Sequence, residues 1–427
     1  MSKLLKLKRK LLIPGVFKIE LKKIETCFFF GVFRYLMLLH IWFPVLISTF
    51  AGFMFMSLAP LTYQFMALFG VGYAGLSLFL SALLWAHTFI QLPAGLILDR
   101  LGVYRAFLMA AGIALVANIL PFLDPHSLPL ATALRLVAGL SSGMMFLAAA
   151  KLTVAMAPPG KTAQAQGMQG AAFSLGIMLP YLILPWLGSE AWRFSYWIPA
   201  LFAVFLLALS MRLPSNIRHD ASGANMTALE LWQTVKFVST SIPIWTIGIF
   251  HGFSYGTLNN LGQWLPSILA DLDGKGDVAV WSLGTGAVLL VGTLGRAFAS
   301  NLLRWHSRSF ITNSSVLLIA ILYIALGMTG NPLLGLGIGV VMAWLGGANF
   351  GSIFSLTGQT VSPAYIATAI GFMNLVGNLT NVLLTVILGT VREFSGSFSM
   401  TLIAAGFFAL IVWIVGYRIV QRVDTQN

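Results

Sequence analysis

Apolar residues in this chain come in runs of roughly twenty, the length a helix needs to cross a hydrocarbon layer about 30 Å thick. Short clusters of glycine, proline and charge separate the runs. Twelve helices are predicted, over 36–58, 72–97, 104–123, 128–154, 164–187, 194–212, 242–266, 279–303, 311–329, 333–355, 366–390 and 398–417. The breaks fall at Asp99-Arg100, Asp124-Pro125, Pro158-Pro159-Gly160, Ser189-Glu190, Asp271 to Asp277, Arg304 to Arg308, Asn331-Pro332 and Arg392-Glu393. Each puts charge or helix-breaking residues where water is available.

Composition makes this a membrane pattern rather than a set of buried core helices. Of the 427 residues, 58% are hydrophobic and 9% charged, against about 25% charged in soluble domains. So few charges cannot dress a water-facing surface, and the bilayer is the expected surrounding. The formal charge of +13 does not point to nucleic acid, because the basic residues sit in an N-terminal arm and between apolar runs. One cysteine, Cys27, excludes an intrachain disulfide, and no Cys/His spacing suggests a metal site. The 17 methionines are scattered and suit packing better than copper binding. No cofactor is implied.

Loop charge orients the chain, since cytoplasmic loops carry the excess of Lys and Arg. One side receives the N-terminal arm, Arg100, Arg105, Lys161, Arg212, Arg218, Lys236, Arg304, Arg308, Arg418 and Arg422. The other receives Arg193, Lys275 and Arg392 with Asp124, Glu190, Asp271, Asp273, Asp277 and Glu393. Both termini are therefore expected in the cytoplasm. The expected organisation is a basic arm over 1–35, six helices over 36–213, a cytoplasmic linker over 214–238, six helices over 239–418 and a tail over 419–427. Gly170, Gly176 and Gly188 of the fifth helix recur at the spacing of Gly371, Gly377 and Gly389 in the eleventh, which suits parallel six-helix repeats.

The second and third helices are joined by Gly95-Leu96-Ile97-Leu98-Asp99-Arg100-Leu101-Gly102-Val103-Tyr104-Arg105. This resembles the loop signature of the major facilitator superfamily, G-x-x-x-D-R-x-G-R-[RK], with Val103-Tyr104 where that family carries basic residues. Arg135, Gly139 and Gly143 in the fourth helix are similar to its R-x-x-x-G-x-x-x-G pattern. The resemblance implies an all-α fold of two six-helix bundles related by a pseudo-two-fold axis, working by alternating access. It also implies a conformational gate at Gly95, Asp99, Arg100, Gly102 and Arg105. Gly95 would let a helix approach closely, and Asp99 would take charge-assisted bonds in one state. Gly176-Ile177-Met178-Leu179-Pro180 does not fit the G-x-x-x-G-P-x-x-G-G run of proton-coupled exporters.

Ionisable groups inside a span are site candidates. Here they are one-sided: Arg135, Lys151 and Arg296, with His40, His87 and His251, and no mid-span carboxylate. A cationic cavity favours an anion. Arg135 is the leading candidate, on a face with Gly139 and Ser142. Arg296, on a face with Thr285, lies about two turns from a helix end and is expected to be able to snorkel, as is Lys151. His251, Tyr255 and Asn259 are substrate-binding candidates on the seventh helix, and His87 and His251 are candidates for coupling. Asn260 and Gln263, and Asn374, Asn378 and Asn381, are read as helix-joining amides. The expected function is a secondary transporter of a small organic or inorganic anion in the inner or plasma membrane, coupled to a proton, sodium ion or counter-anion. An exporter of amphipathic drug-like compounds and a non-transporting receptor or scaffold are the alternatives. No nucleophile and base pair suggests an enzyme.

Overall fold

A computed structural model describes residues 42–156, 162–213, 215–218, 228–274, 278–361 and 366–425. The basic arm, Lys161, the middle of the linker, Lys275 and Asp277 lie outside the described residues, as do His40 and Cys27. Among the described residues all regular structure is helical. Twelve long helices follow: α1 (Trp42–Phe69), α2 (Tyr73–Leu101), α3 (Val103–Ile119), α4 (Leu128–Met156), α5 (Thr162–Ile183), α6 (Ala191–Ser210), α7 (Ile242–Asp273), α8 (Val278–Leu302), α9 (Arg308–Met328), α10 (Pro332–Gln359), α11 (Ile366–Ser395) and α12 (Ser399–Thr425). The linker adds two short helices, Ser215–Arg218 and Ala228–Ser239.

Eleven of the twelve contain an apolar stretch long enough to cross a membrane by hydropathy alone. The exception is α7, whose His251, Ser254, Thr257, Asn259, Asn260, Gln263 and Ser267 lower its mean. Every residue from Gly256 to Ala270 is buried, so these polar groups face protein and never lipid. The lipid-facing character lies elsewhere: Leu201 and Phe205 on α6 and Phe407, Ile411 and Val415 on α12 are all exposed. Such bare apolar faces are stable only in hydrocarbon.

The helices exceed their predicted ends in several places, each for a local reason. α1 was expected to stop at 58, but a turn and a 3-10 segment at Ala59–Leu61 lead into Thr62–Phe69, so Pro60 bends the helix rather than ending it. α7 was expected to end at Pro266. Proline cannot bond the carbonyl four residues back, which is that of Gly262. The Tyr181 hydroxyl of α5 donates to this carbonyl instead, and the helix runs on to Asp273. α10 breaks at Asn349 into Pro332–Ala348 and Phe350–Gln359. α12 continues to Thr425 through the segment expected as a tail. Its Asp424 accepts from the Ser309 backbone N–H at 2.9 Å and pairs with Arg308 at 3.5 Å, a carboxylate at the positive end of α9.

Packing repeats with a shift of six helices. In the first half α1 pairs with α5, α2 with α4 and α3 with α6; in the second, α7 pairs with α11, α8 with α10 and α9 with α12. The matching glycines explain two of these approaches. A Cβ on Gly176 would lie 2.0 Å from the Thr49 carbonyl oxygen of α1, and one on Gly377 would lie 2.5 Å from the His251 ring of α7. Between the halves α2 packs on α11 and α5 on α8, two contacts that the same six-helix shift relates. The result is two six-helix bundles facing one another across these seams.

Candidate functional site

A small cavity, about 270 Å³ with its mouth, lies where α5, α7 and α8 meet. From α5 come Ser174 and Ile177, from α7 Tyr255, Leu258 and Asn259, and from α8 Leu289, Gly292, Thr293 and Arg296. Both halves therefore contribute to one wall. The cavity is reached by helix faces rather than loops, which fixes the spacing of its polar atoms.

Arg296 supplies the charge. Its guanidinium lies 4.8 Å from the centre of the Tyr255 ring and 4.6 Å from that of Phe350, a cation held by two aromatic faces. One Nη donates across the seam to Ser174 Oγ at 3.1 Å. The Ser174 hydrogen goes to the Gly170 carbonyl at 3.2 Å, which leaves the serine oxygen free to accept. Nε of Arg296 is buried with no partner, and no carboxylate pairs with this arginine among the described residues. The expected snorkelling does not occur: the aromatic cage and Ser174 hold the head group inward, in place of the water it would otherwise seek.

Asn259 lies on the same wall. It is fully buried at 1% exposure, and its amide nitrogen makes no hydrogen bond, leaving a second donor unsatisfied. Buried donors without partners are costly, and a ligand that accepts hydrogen bonds would relieve both. Ile177, Leu258 and Leu289 close the remaining wall with hydrocarbon. His251 stands behind this wall rather than on it, stacked on Tyr255 with ring centres 5.2 Å apart. The Gly377 gap accommodates its ring.

Arg135 and His87 are placed in a different region. Arg135, 4% exposed, donates to the Met54 carbonyl of α1 at 3.2 Å, just before α1 breaks and its backbone needs outside donors. His87 Nδ1 meets Ser142 Oγ at 3.1 Å, and Ser142 Oγ donates to the Ala51 carbonyl, so His87 is the donor in the first bond. Phe55 packs edge-on at 5.0 Å from the His87 ring, with Phe146 and Phe173 beyond. Neither residue lines the cavity. Lys151 is half-buried on α4. Of the eleventh-helix amides, Asn381 bonds Asn260 at 2.7 Å and so joins α11 to α7, and Trp264 donates to the Thr385 carbonyl.

One end of the molecule is closed between the halves. Tyr63 and Tyr73 of the first half share a bond at 3.1 Å, and Tyr63 reaches Asp271 at 3.5 Å. Asp271 pairs with Arg392 at 2.8 Å, and the Arg392 guanidinium lies 4.8 Å from the Tyr73 ring centre. Glu393 accepts from the Tyr73 backbone N–H at 2.6 Å, a carboxylate on the first turn of α2. At the opposite end Leu98 and Gly102 of the loop motif are buried against the first half, while Gly95 is not in close contact. A Cβ on Gly95 would meet nothing within 4 Å, so the close approach expected there is not made in this conformation. Arg100 and Arg105 are exposed, and the Asp99 side chain lies outside the described residues. Gly102 has φ 78° and ψ 153° between α2 and α3, a conformation open to glycine and hardly to other residues. That geometry explains its place in the motif.

Ser174, Phe350, Thr293 and the aliphatic wall were missed from the sequence. Ser174 shares a helical face with Gly170, and Phe350 follows the break at Asn349; only those neighbours hinted at them.

The sequence profile of the Major Facilitator Superfamily matches residues 41–385. The cyanate transport protein CynX of Escherichia coli (strain K12) is 27% identical over 250 residues, 56% of this chain and 61% of that protein. The chain thus spans less than two thirds of that relative. The uncharacterized transporter YybO of Bacillus subtilis (strain 168) is 24% identical over 362 residues, 77% of this chain and 81% of that one. Among solved structures, a bacterial homologue of the human lysosomal transporter Spinster, inward-facing and unoccupied, superposes with a TM-score of 0.70 at 15% identity, over 92% of this chain and 98% of that one. Twelve long helices in two six-helix halves among the described residues, eleven of them apolar enough to span a membrane, and a matching profile over most of its length make this chain a member of the Major Facilitator Superfamily, an integral multi-pass membrane protein.

Proposed function

We propose that the protein carries a small anion, bound against Arg296 on the seam between its halves and moved by alternating access. The observation that carries this reading is the Arg296 guanidinium facing a cavity with no acidic partner among the described residues, beside the unsatisfied Asn259 amide. Tyr255 orients the guanidinium, Thr293 borders the same space, and the aliphatic wall limits the charged part of the solute to one end. The enclosed part of the cavity is little larger than a water molecule, which favours a small anion over an amphipathic drug. The relative named for cyanate transport agrees in size and charge.

Arg135 and His87 hold α4 and α2 against α1 in this reading, and His251 buttresses Tyr255. The closed end, with Asp271, Arg392 and Glu393, is the outer one by the charge of the loops, and both termini are cytoplasmic. The motif around Gly95 and Asp99 closes the other end in the alternate state.

Thermal stability of the purified protein tests this, since a ligand that binds the native state raises it. Cyanate, nitrate, formate and acetate form the anion panel, with small amines and hydrophobic cations beside it. Stabilisation by an anion in the wild type and its loss in Arg296→Gln is expected. Stabilisation by a cation, kept in Arg296→Gln, would sink the proposal.

A further inference from the structure

We infer that this carrier works by exchange: the empty protein crosses between its two states slowly, because the bare charge of Arg296 has to move through the seam without a counter-charge. This rests on the anion reading above. Arg296 is held by Ser174 of the opposite half, the rings of Tyr255 and Phe350, and nothing acidic among the described residues. The other ion pairs of the described residues, Arg193 with Glu190, Arg308 with Asp424 and Arg392 with Asp271, lie at the ends of the helices.

The physical argument concerns the step between states. When the halves rock, the α5–α8 seam has to part and re-form, and the Arg296–Ser174 bond sits on it. An unpaired cation in a low-dielectric interior is strongly unfavourable, and an ion pair removes much of that cost. With an anion bound, the site that moves is neutral. With none, the guanidinium loses its hydrogen-bond acceptor from the other half and keeps Tyr255 and the Phe350 face, neither of which carries a counter-charge.

A co-transported proton does not supply the missing charge. A phenol takes up no proton, so beyond Tyr255 the side chain of this cluster that can accept one is His251, stacked on it. A proton there adds a second positive charge to the same region rather than cancelling the first. A sodium ion fails for the same reason. Only an anion on the return leg restores neutrality, so anion on both sides is what keeps the carrier turning.

Counterflow in proteoliposomes of the full chain tests this. Vesicles are filled either with cyanate or with gluconate, chloride is omitted throughout, and potassium with valinomycin clamps the membrane potential at zero. Uptake of [¹⁴C]cyanate is measured, with labelled nitrate as a second probe. Entry into anion-loaded vesicles should be faster than into gluconate vesicles by about tenfold or more, the factor that a barrier difference of about 1.4 kcal/mol produces. Arg296→Lys, which keeps the charge, should keep that ratio even where its rate is lower. Equal rates into loaded and gluconate vesicles would overturn exchange and leave the anion reading in place. No protein-dependent uptake of either probe, together with no stabilisation by any anion of the panel, would overturn the anion reading and this inference with it.

Discussion

Two arginines inside the helices, a buried one in the first half and a half-buried one in the second, have opposite surroundings. Arg135 on α4 reaches a carbonyl of its own half at the break in α1, inside a core of helices that pack on one another. Arg296 on α8 reaches a serine of the other half and faces a cavity. The first arginine mends a backbone and the second turns its head group to the cavity, although Nε of each is buried without a partner. The identity of the acceptor separates them. An arginine whose acceptor lies within its own bundle keeps it when the bundles rock, whereas one bonded across the seam must exchange it.

The glycines offer the most drastic test of that rigidity. Gly176→Ala places a methyl 2.0 Å from the Thr49 carbonyl oxygen, a backbone atom that cannot yield, so folded protein should be nearly absent from size-exclusion chromatography of solubilised membranes. Gly95→Ala, with open space around it, should give wild-type yield. Equal loss in both would deny that the first half is tightly packed around α1 and α5 while the Gly95 end is open.

Arg296→Ala comes next. Removing one partner of a buried charged contact costs about 2–5 kcal/mol, so kcat/KM for the transported anion should fall by about a hundredfold or more, with folded yield retained. At the closed end, Arg392→Ala removes a pair whose side chains are 19% and 27% exposed. Partial exposure weakens such pairs, so a loss of a few-fold in transport is expected, together with faster labelling of a cysteine placed at Ser77 from that side. Unchanged labelling would mean that the latch does not hold this end shut. The smallest effect belongs to Arg135→Met. A well-packed apolar replacement for a buried charge is often close to neutral, so the anion's KM should change less than about twofold. A hundredfold rise in KM would place Arg135 in the site and erase the contrast between the two halves.

The candidate site was only partly legible. Tyr255, Asn259 and Arg296 were marked by their polarity inside apolar runs, and the structure brings them onto one wall. Arg135 and His87 carried the same mark and lie elsewhere, because polarity within a span announces that a partner exists and says nothing of which one. Ser174 and Phe350 carried no mark at all: a serine and a phenylalanine are ordinary residues in a membrane helix, and only the approach of α5 and α10 to Arg296 gives them a role.

By itself the sequence determined the solvent, the number of helices and their grouping. Each follows from local physics, since a span must be apolar over its own length and a glycine spacing repeated in α5 and α11 reports a repeated approach. The loop motif, an equally local signal, pointed to the family. Tertiary structure decided everything that depends on which faces meet. It allowed Pro266 to sit within α7 because Tyr181 of the other half caps the freed Gly262 carbonyl. It buried a helix too polar for hydropathy to count, and it turned Arg296 toward a cavity while Arg135 was turned toward a backbone. Those outcomes are set by contacts between residues far apart in the chain, with energies that no single helix carries.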